Sequence, residues 1–420
     1  MASTLSPAGV VSFDQARHIV DEHGARALAA HAGRPAIETI ELPAARGRVL
    51  AEPILADRDF PPFPRATRDG YAVLAADVAQ VPARLEVVGE LRAGDSAPSL
   101  TVNRGQAVSI MTGAPLPAGA DAVVMVEYTH ATGDSVEVQR PAKSGENVVP
   151  QAAEARIGQL LIERGRRLDH ALIAIAASVG KSRVQVFRKP RVAVLSTGNE
   201  VVEITASPGP AQIRNSNSYS LATQVEGAGA DTVRLEIAPD EPKQLRALIE
   251  EGFRCDLLLM TGGVSMGKYD LVERVLAELG AEFYFTGAQI QPGKPIVFGS
   301  CPAMPPPGPR YFFGLPGNPV STMVTFRLFA QPMISALAGM KPEPLVFLKA
   351  RLKKEVRTKT GLTRFLPAVL SGEFEDARVE LAAWQGSGDI AALAGTNCYL
   401  VVPPDRERIE AGEFVPVLLP

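Results

Sequence analysis

The densest chemistry in the chain lies where an apolar run, 256–260, meets Thr261-Gly262-Gly263-Val264-Ser265-Met266-Gly267-Lys268-Tyr269-Asp270, with an amphipathic helical pattern following to 279. A buried strand that breaks into a glycine-rich turn and reopens as a helix aims unpaired backbone N–H groups, backed by the helix dipole, at one point. Phosphate or another oxyanion suits that point, with residues 261–265 as its cradle. Gly262, Gly267 and Lys268 match G-x-x-x-x-G-K, the skeleton of a phosphate-binding P-loop, but Tyr269 stands where Ser or Thr would bind magnesium. A phenol is too long and rigid for that role. Lys268 therefore reads as a solvated turn residue and Asp270 as the candidate metal ligand. The plainer alternative is a strand-to-helix turn with Asp270 as N-cap.

Other turns carry similar groups. Leu195-Ser196-Thr197-Gly198-Asn199-Glu200 ends a second apolar run; its hydroxyls can hydrogen-bond a ligand, and Glu200 is either a charge at the site or a solvated turn residue. In Leu315-Pro316-Gly317-Asn318-Pro319, Asn318 suits an N-cap, Pro319 the first helical position and Gly317 close backbone approach. Gln291-Pro292-Gly293-Lys294-Pro295 holds a lysine in a stiff turn, where it could neutralise an oxyanion as a point charge. Arg68-Asp69-Gly70-Tyr71 and Met111-Thr112-Gly113-Ala114-Pro115 are further turns, and Asp69 alone reads as an ordinary turn aspartate. His18, His23 and His31 have no Cys or acid at ligand spacing, so they read as solvated or packed, and no histidine is a catalytic candidate.

The elements that must position these turns follow from periodicity. Ser12 to Gln15 is a capping box, and apolar positions continue at helical spacing over 13–30. Short alternating strands then occupy 71–78, 84–90, 107–111, 122–128 and 135–140, and helical character returns at 169–179. After Lys189-Pro190, strands at 192–195, 231–237 and 256–260 alternate with helices at 218–226, 241–251 and 269–279, which predicts a parallel sheet. Further strands at 283–285, 296–298 and 311–315 lead into a long helix, 319–337. Ligands bind beyond the carboxyl ends of such strands, where 197–200, Asp240, 261–270 and 316–318 all fall, so four loops should face one crevice. From 346 the pattern is β again: 346–356, 364–370, 379–381, 399–402 and 414–418.

The expected fold is therefore multidomain α/β plus β, around a central doubly wound parallel-sheet domain. We expect an elongated N-terminal region with a helical and linker part (1–56 with 142–189) and an inserted β-rich part (57–141), then the α/β domain (190–339) and a small barrel-like β domain (340–420). A length of 420 residues supports about three domains. With 43 basic and 46 acidic residues and no single-sign run, neither nucleic acid nor an anionic membrane is expected as the main partner. Cys255, Cys301 and Cys398 are odd in number and lack a C-x-x-C pair, which points to a reducing cytoplasm rather than a disulfide framework or a zinc ribbon. The longest apolar run, 171–179, is too short to span a bilayer.

Taken in order, Arg68-Asp-Gly-Tyr-Ala72, Met111-Thr-Gly-Ala-Pro115, Leu195-Ser-Thr-Gly-Asn-Glu200, Thr261-Gly-Gly-Val-Ser265 with Asp270, Pro292-Gly-Lys-Pro295 and Leu315-Pro-Gly-Asn-Pro319 resemble the molybdopterin molybdenumtransferases, the MoeA/gephyrin family, from Ser12 to the C-terminus. The resemblance implies the last step of molybdenum cofactor assembly: adenylylated molybdopterin is hydrolysed, AMP leaves, and molybdate is ligated by the pterin dithiolene, with Mg2+ required. It implies catalytic roles for Asp69, Glu200, Asp240, Asp270 and Lys294, with Asp270 and Glu200 as metal ligands. Thr197, Gly198, Asn217, Thr261, Gly262, Gly263, Ser265, Pro292, Gly293, Pro316, Gly317, Asn318 and Pro319 would bind the pterin nucleotide, with Thr112 near the nucleotide or pterin and Ser387 near the molybdate. It also implies an elongated homodimer in which Asp69 reaches the cleft of the partner subunit, and the upstream adenylyltransferase as a partner.

The chain also departs from the family pattern. Ala66-Thr67-Arg68 replaces a usual Ser-x-Met, and Ala153-Glu154-Ala155 replaces Gly-Glu-Asp, so the acid expected at 155 is missing. Gly287 and Gln291 replace two lysines, leaving Lys294 the only cation of that turn, and an arginine usual near Gly361 is absent in register, with Arg364 close by. Weaker or rearranged anion capture, or altered oxyanion selectivity, is expected. Two other readings compete: a scaffold that keeps the crevice without activity, and a P-loop-like nucleotide hydrolase. A single-domain molybdopterin adenylyltransferase would share the α/β portion but would not need the flanking β domains.

Overall fold

The computed structural model describes residues 9–33, 36–95, 100–263, 271–302, 304 and 310–420. Ser265, Lys268 and Asp270 lie outside the described residues, as does the side chain of His31. The chain splits into two units, one of Met1–Thr39, Gly47–Ala51 and Gln185–Pro420, the other of Ile40–Arg46 and Glu52–Val184.

The second unit is built on a six-stranded sheet in which Gly70–Val73 lies between Ala122–Met125 and Gln106–Ile110, followed by Ala83–Leu91, Ser135–Val138 and Thr129–Thr132. Alternation sends Val73, Leu85 and Val136 to a core on one face and Ala72, Val108 and Val123 to a core on the other. Two expected strands stop early, at Val73 and Met125, and continue as 3-10 turns. The cause is local: Ala75 N donates to Asp121 Oδ1 at 2.7 Å and Val126 N to Asp69 O at 3.0 Å, which takes both amides out of the ladder. Thr129–Thr132 escaped prediction because Thr-His-Ala-Thr has no apolar alternation.

In the first unit a six-stranded sheet runs in the order Asp231–Arg234, Arg191–Ser196, Leu257–Thr261, Arg310–Leu315, Val297–Cys301, Glu282–Phe285. The first four strands are parallel; the last two complete the sheet antiparallel. Helices cover both faces, as a doubly wound sheet requires. On one side Leu221, Val324 and Phe329 pack with Ala16 and Val20 of the N-terminal helix Phe13–Gly33 against Val192, Leu257 and Phe313. On the other, Leu245, Ile249, Val272 and Leu276 pack against Ala193, Leu258 and Met260. His23 is a packed histidine: it is buried and stacks on Tyr284 at 3.7 Å.

The long helix expected at 319–337 is interrupted. It runs as Pro319–Thr325, a π-turn Phe326–Ala330, and Gln331–Leu337. Pro332 explains this, because it has no N–H for the carbonyl of Leu328 four residues earlier. Arg17 supplies the missing donor, its Nη1 reaching Leu328 O at 2.5 Å while its Nη2 pairs with Asp21 at 3.1 Å.

The C-terminal domain is a closed five-stranded barrel: Thr363–Ser371, Arg378–Leu381, Phe347–Leu352, Phe414–Leu418 and Cys398–Val402, the last pairing back to the first. A short strand, Ile290–Gln291, joins Thr363–Ser371 in parallel, with Gln291 level with Arg364. The three cysteines are buried and none forms a disulfide. No helix among the described residues is long and apolar enough to cross a membrane.

Candidate active site at the carboxyl ends of the parallel strands

Three neighbouring strands end level with one another, Ser196 facing Thr261 and Thr261 facing Leu315. Their turns therefore converge on one cavity of about 730 Å³, whose lining includes Thr197, Glu200, Asn217, Gly262, Gly317 and Asn318. Asn217 ties two of the strand ends together: its Nδ2 donates to Thr261 Oγ1 at 2.9 Å and to Gly317 O at 2.7 Å. Asn217 is held there by a capped helix. Asn215 Oδ1 accepts from Ser218 N at 3.1 Å and from Ser196 Oγ at 3.0 Å, so the helix begins at Ser216 rather than at the expected 218.

Gly262 has φ 89°, and a Cβ on it would stand 2.7 Å from Thr197 O, so the turn admits only glycine. Gly317 is less demanding, since a Cβ there would make an ordinary 3.6 Å contact with Gly262 Cα. Two buried polar atoms aim into this region without a partner among the described residues: Thr197 Oγ1 and Asn217 Oδ1. An unsatisfied buried group of this kind costs about 1–3 kcal/mol, and a bound molecule with matching polar edges removes that cost.

The acids separate. Glu200 lines the cavity and is exposed, its carboxylate folded back towards Gly198. Asp240 does not line it; its Oδ2 accepts from Asn199 N at 3.4 Å while Asp240 N donates to Asn199 Oδ1 at 3.2 Å, so it braces the 198–200 turn. Three of the four expected loops thus face this cavity within the described residues, with Asn217 added from a helix. Among the described residues no group of three or more His, Cys, Asp or Glu is arranged around a metal position.

A second cavity, about 560 Å³, shares Pro295, Pro316 and Asn318 with the first. The turn 291–295 forms one wall, and the barrel contributes Lys359, Arg364 and Ser387. With Lys294 these make three cations in a lining that holds no carboxylate among the described residues, which suits an anion. Asn318 stands at the N-cap position of Pro319–Thr325 but does not cap it; its Nδ2 donates instead to Ser387 Oγ at 2.8 Å. Ser387 O also accepts from Val320 N at 3.1 Å, which fixes the 385–388 turn to the helix start.

Lys359 was not predicted, although its place in a polar Lys-Thr-Gly turn was a usable signal. Arg364 had no assigned role, because a lone arginine in an apolar strand gives no motif. The absence of lysine at 287 has a steric reason: Gly287 pairs with Val10, and a Cβ there would stand 2.9 Å from Val10 Cγ2.

In the other unit the structure joins two predicted residues. Thr112 donates to Asp69 Oδ1 from its backbone N at 2.6 Å and from its hydroxyl at 2.8 Å, and these bonds hold the Asp69 carboxyl below its usual pKa. Ala155 is buried, its carbonyl accepting from Phe60 N at 2.7 Å, while the neighbouring Glu154 is paired with Arg65 at 2.8 Å.

Comparison with known proteins fits this geometry. Residues 11–180 match the MoeA N-terminal region (domains I and II), 193–336 the family described as a probable molybdopterin binding domain, and 349–419 the MoeA C-terminal region (domain IV). A molybdopterin molybdenumtransferase of Nostoc sp. is 38% identical over 391 residues, spanning 91% of this chain and 88% of that protein. The one from Bacillus subtilis is 32% identical over 381 residues, 89% of this chain and 87% of its own. A crystal structure of a molybdopterin biosynthesis MoeA protein from Pyrococcus horikoshii superposes with a TM-score of 0.70 at 33% identity, over 98% of this chain and 99% of that one. A second MoeA structure from that organism gives 0.77 at 28% identity, over 98% and 100%. With identity at this level spread over nearly its whole length, the chain belongs to the molybdopterin molybdenumtransferase (MoeA) family.

Proposed function

We propose that this protein is itself a Mg2+-dependent molybdopterin molybdenumtransferase, acting on adenylylated molybdopterin and molybdate with release of AMP. The observation that carries this reading is the pair of adjoining cavities with a common wall at Pro295, Pro316 and Asn318. One offers hydroxyl, amide and glycine-turn groups, with Glu200 and Arg214, to a pterin nucleotide; the other offers cations to an oxyanion. Thr197, Gly198, Asn217, Thr261, Gly262, Gly263 and Ser265 hold the nucleotide side, and Lys294, Lys359, Arg364 and Ser387 the molybdate side. Pro292, Gly293, Gly317 and Pro319 shape the walls, Asp240 keeps the 198–200 turn in place, and in the proposed homodimer Asp69 reaches the cleft of the partner subunit, with Thr112 near the nucleotide or pterin. The P-loop reading of the 262–268 stretch falls with family membership.

Magnesium needs only one or two protein carboxylates when substrate phosphates complete its shell. Glu200 presents one to the cavity, and Asp270 is assigned as the second. Bound there, the ion would neutralise charge on the phosphoanhydride. A homodimer, a cytoplasmic location, delivery of substrate by an upstream adenylyltransferase, and the four-part domain division belong to the same proposal.

The test mixes purified protein with adenylylated molybdopterin, magnesium and molybdate, and follows AMP and active cofactor. No AMP above a protein-free blank sinks the proposal, and substrate binding without molybdate-dependent turnover would favour the scaffold. Asp270→Asn should keep the fold, since Asn also caps helices, and abolish magnesium-dependent turnover. Unchanged turnover removes Asp270 from the site. Sedimentation equilibrium at the monomer mass would remove the homodimer.

A further inference from the structure

We infer that Arg364, on the barrel wall, is the interior cation of the second cavity and the group that holds the bound oxyanion, with Gln291 as the residue that orients its guanidinium. This rests on the assignment of that cavity to molybdate.

Arg364 is only 6% exposed, whereas Lys294 and Lys359, which line the same cavity, are exposed at its mouth. An arginine this little exposed ordinarily has a carboxylate partner. Arg364 has none among the described residues, and its hydrogen bonds go to neutral acceptors: Nε donates to Gln291 Oε1 at 2.8 Å and Nη1 to Leu362 O at 3.1 Å. A guanidinium has five N–H donors, and the remaining ones have no acceptor among the described residues. The geometry is not accidental to a flexible side chain. Gln291 and Arg364 are level in the parallel pairing of their strands, so the turn that carries Lys294 also clamps the arginine from the adjacent wall.

The cavity therefore contains a largely buried arginine, oriented by a neutral clamp and with no carboxylate beside it among the described residues. Burial lowers the pKa of this guanidinium, which agrees with its place inside the cavity wall. Tetrahedral oxyanions supply the missing acceptors, and a planar fork can give two parallel bonds to one edge of such an ion. Lys294 and Lys359, being solvated, would draw the ion to the mouth; Arg364 would hold it inside.

Sodium molybdate alone, titrated calorimetrically into the full-length protein, tests this, with thermal melts run on every variant. Arg364→Met should weaken molybdate binding about ten- to a hundredfold, the range for a lost charge-assisted bond, without lowering the melting temperature. Arg364→Lys and the double variant Arg364→Met with Gln291→Lys should each recover part of the loss, because they return a cation to the cavity; a purely structural arginine would not be replaced from position 291. In turnover assays Arg364→Met should raise the KM for molybdate by more than it lowers kcat. Wild-type affinity in Arg364→Met overturns the inference, as does a loss that neither cation-restoring variant reduces. Arg364-dependent molybdate binding in a wild-type protein that releases no AMP would uphold the inference while removing the proposed function. Wild-type turnover with an unchanged molybdate KM in Arg364→Met would remove the inference alone.

Discussion

Thr197→Val separates a binding hydroxyl from a structural one. Thr197 is 4% exposed, and its Oγ1 has no partner among the described residues. It lies directly beneath the glycine turn, since a Cβ on either Gly262 or Gly263 would be 3.0 Å from it. Valine keeps the β-branched shape and rotamer preference and exchanges the hydroxyl for a methyl. A partnerless buried hydroxyl costs about 1–3 kcal/mol, so the folded protein should be unchanged or more stable by up to that amount. If the hydroxyl meets a polar edge of the pterin nucleotide, its loss removes about 0.5–1.5 kcal/mol for a neutral partner and up to about 3 kcal/mol for a phosphate oxygen. That corresponds to a roughly two- to hundredfold fall in kcat/KM. Urea unfolding followed by circular dichroism reads the first quantity, compared at equal slope, and AMP release against pterin-nucleotide concentration reads the second. Stability and activity should move in opposite directions. A variant destabilised by more than about 1 kcal/mol with unaltered kinetics would show that the hydroxyl serves the fold, and the cavity would lose one of its two waiting polar atoms.

Gly262→Ala should destabilise by about 1–3 kcal/mol or more from backbone strain alone, with a further loss of activity from displacement of Thr197; melting temperature and kcat/KM check it, and wild-type values in both would contradict the turn geometry. Burial lowers the pKa of His23 from 6.5 to about 4, so the unfolded chain binds the extra proton first and stability should fall as pH drops from about 6.5 to 4. The contribution is on the order of 3 kcal/mol at most, and His23→Phe should flatten that part of the stability-against-pH curve; an identical curve would refute it. Asp69 has the opposite sign: its carboxylate, favoured by the two Thr112 bonds, stabilises above the usual carboxylate pKa and ceases to do so as pH falls through its lowered value. The melting difference between wild type and Asp69→Asn should therefore vanish on acidification, and a difference that persists unchanged at low pH would assign the effect to something other than charge.

The α/β layer was legible because its strands are continuous apolar runs with turns rich in Gly, Pro and Asn, and the carboxyl-end rule then located Thr197, Gly262, Gly317 and Asn318 together. Side-chain direction was not legible. Asn318 has the right type and place for a cap, yet the barrel turn competes for its amide through Ser387. Asp240 sits at a strand end like the lining residues, yet its carboxylate is taken by the Asn199 amide. Arg364 and Gln291 lie far apart in sequence and meet only through a parallel pairing between the barrel and the 290–291 strand, which no local pattern encodes. The same holds for the π-turn: Pro332 announces a defect in the helix, but its repair by Arg17 depends on tertiary packing.

That repair has a bearing on how the chain is made. Arg17 and Leu328 are separated by 311 positions, so the donor that heals the long helix leaves the ribosome well before its acceptor. At about 5–20 residues per second, translation needs on the order of 15–60 s to bridge that distance. Meanwhile the 52–184 segment, which buries its own cores around Val73 and Val108, emerges whole. The helix Phe13–Gly33 spends this interval with Ala16 and Val20 unburied, an apolar stripe on a nascent chain that only the finished α/β sheet can cover.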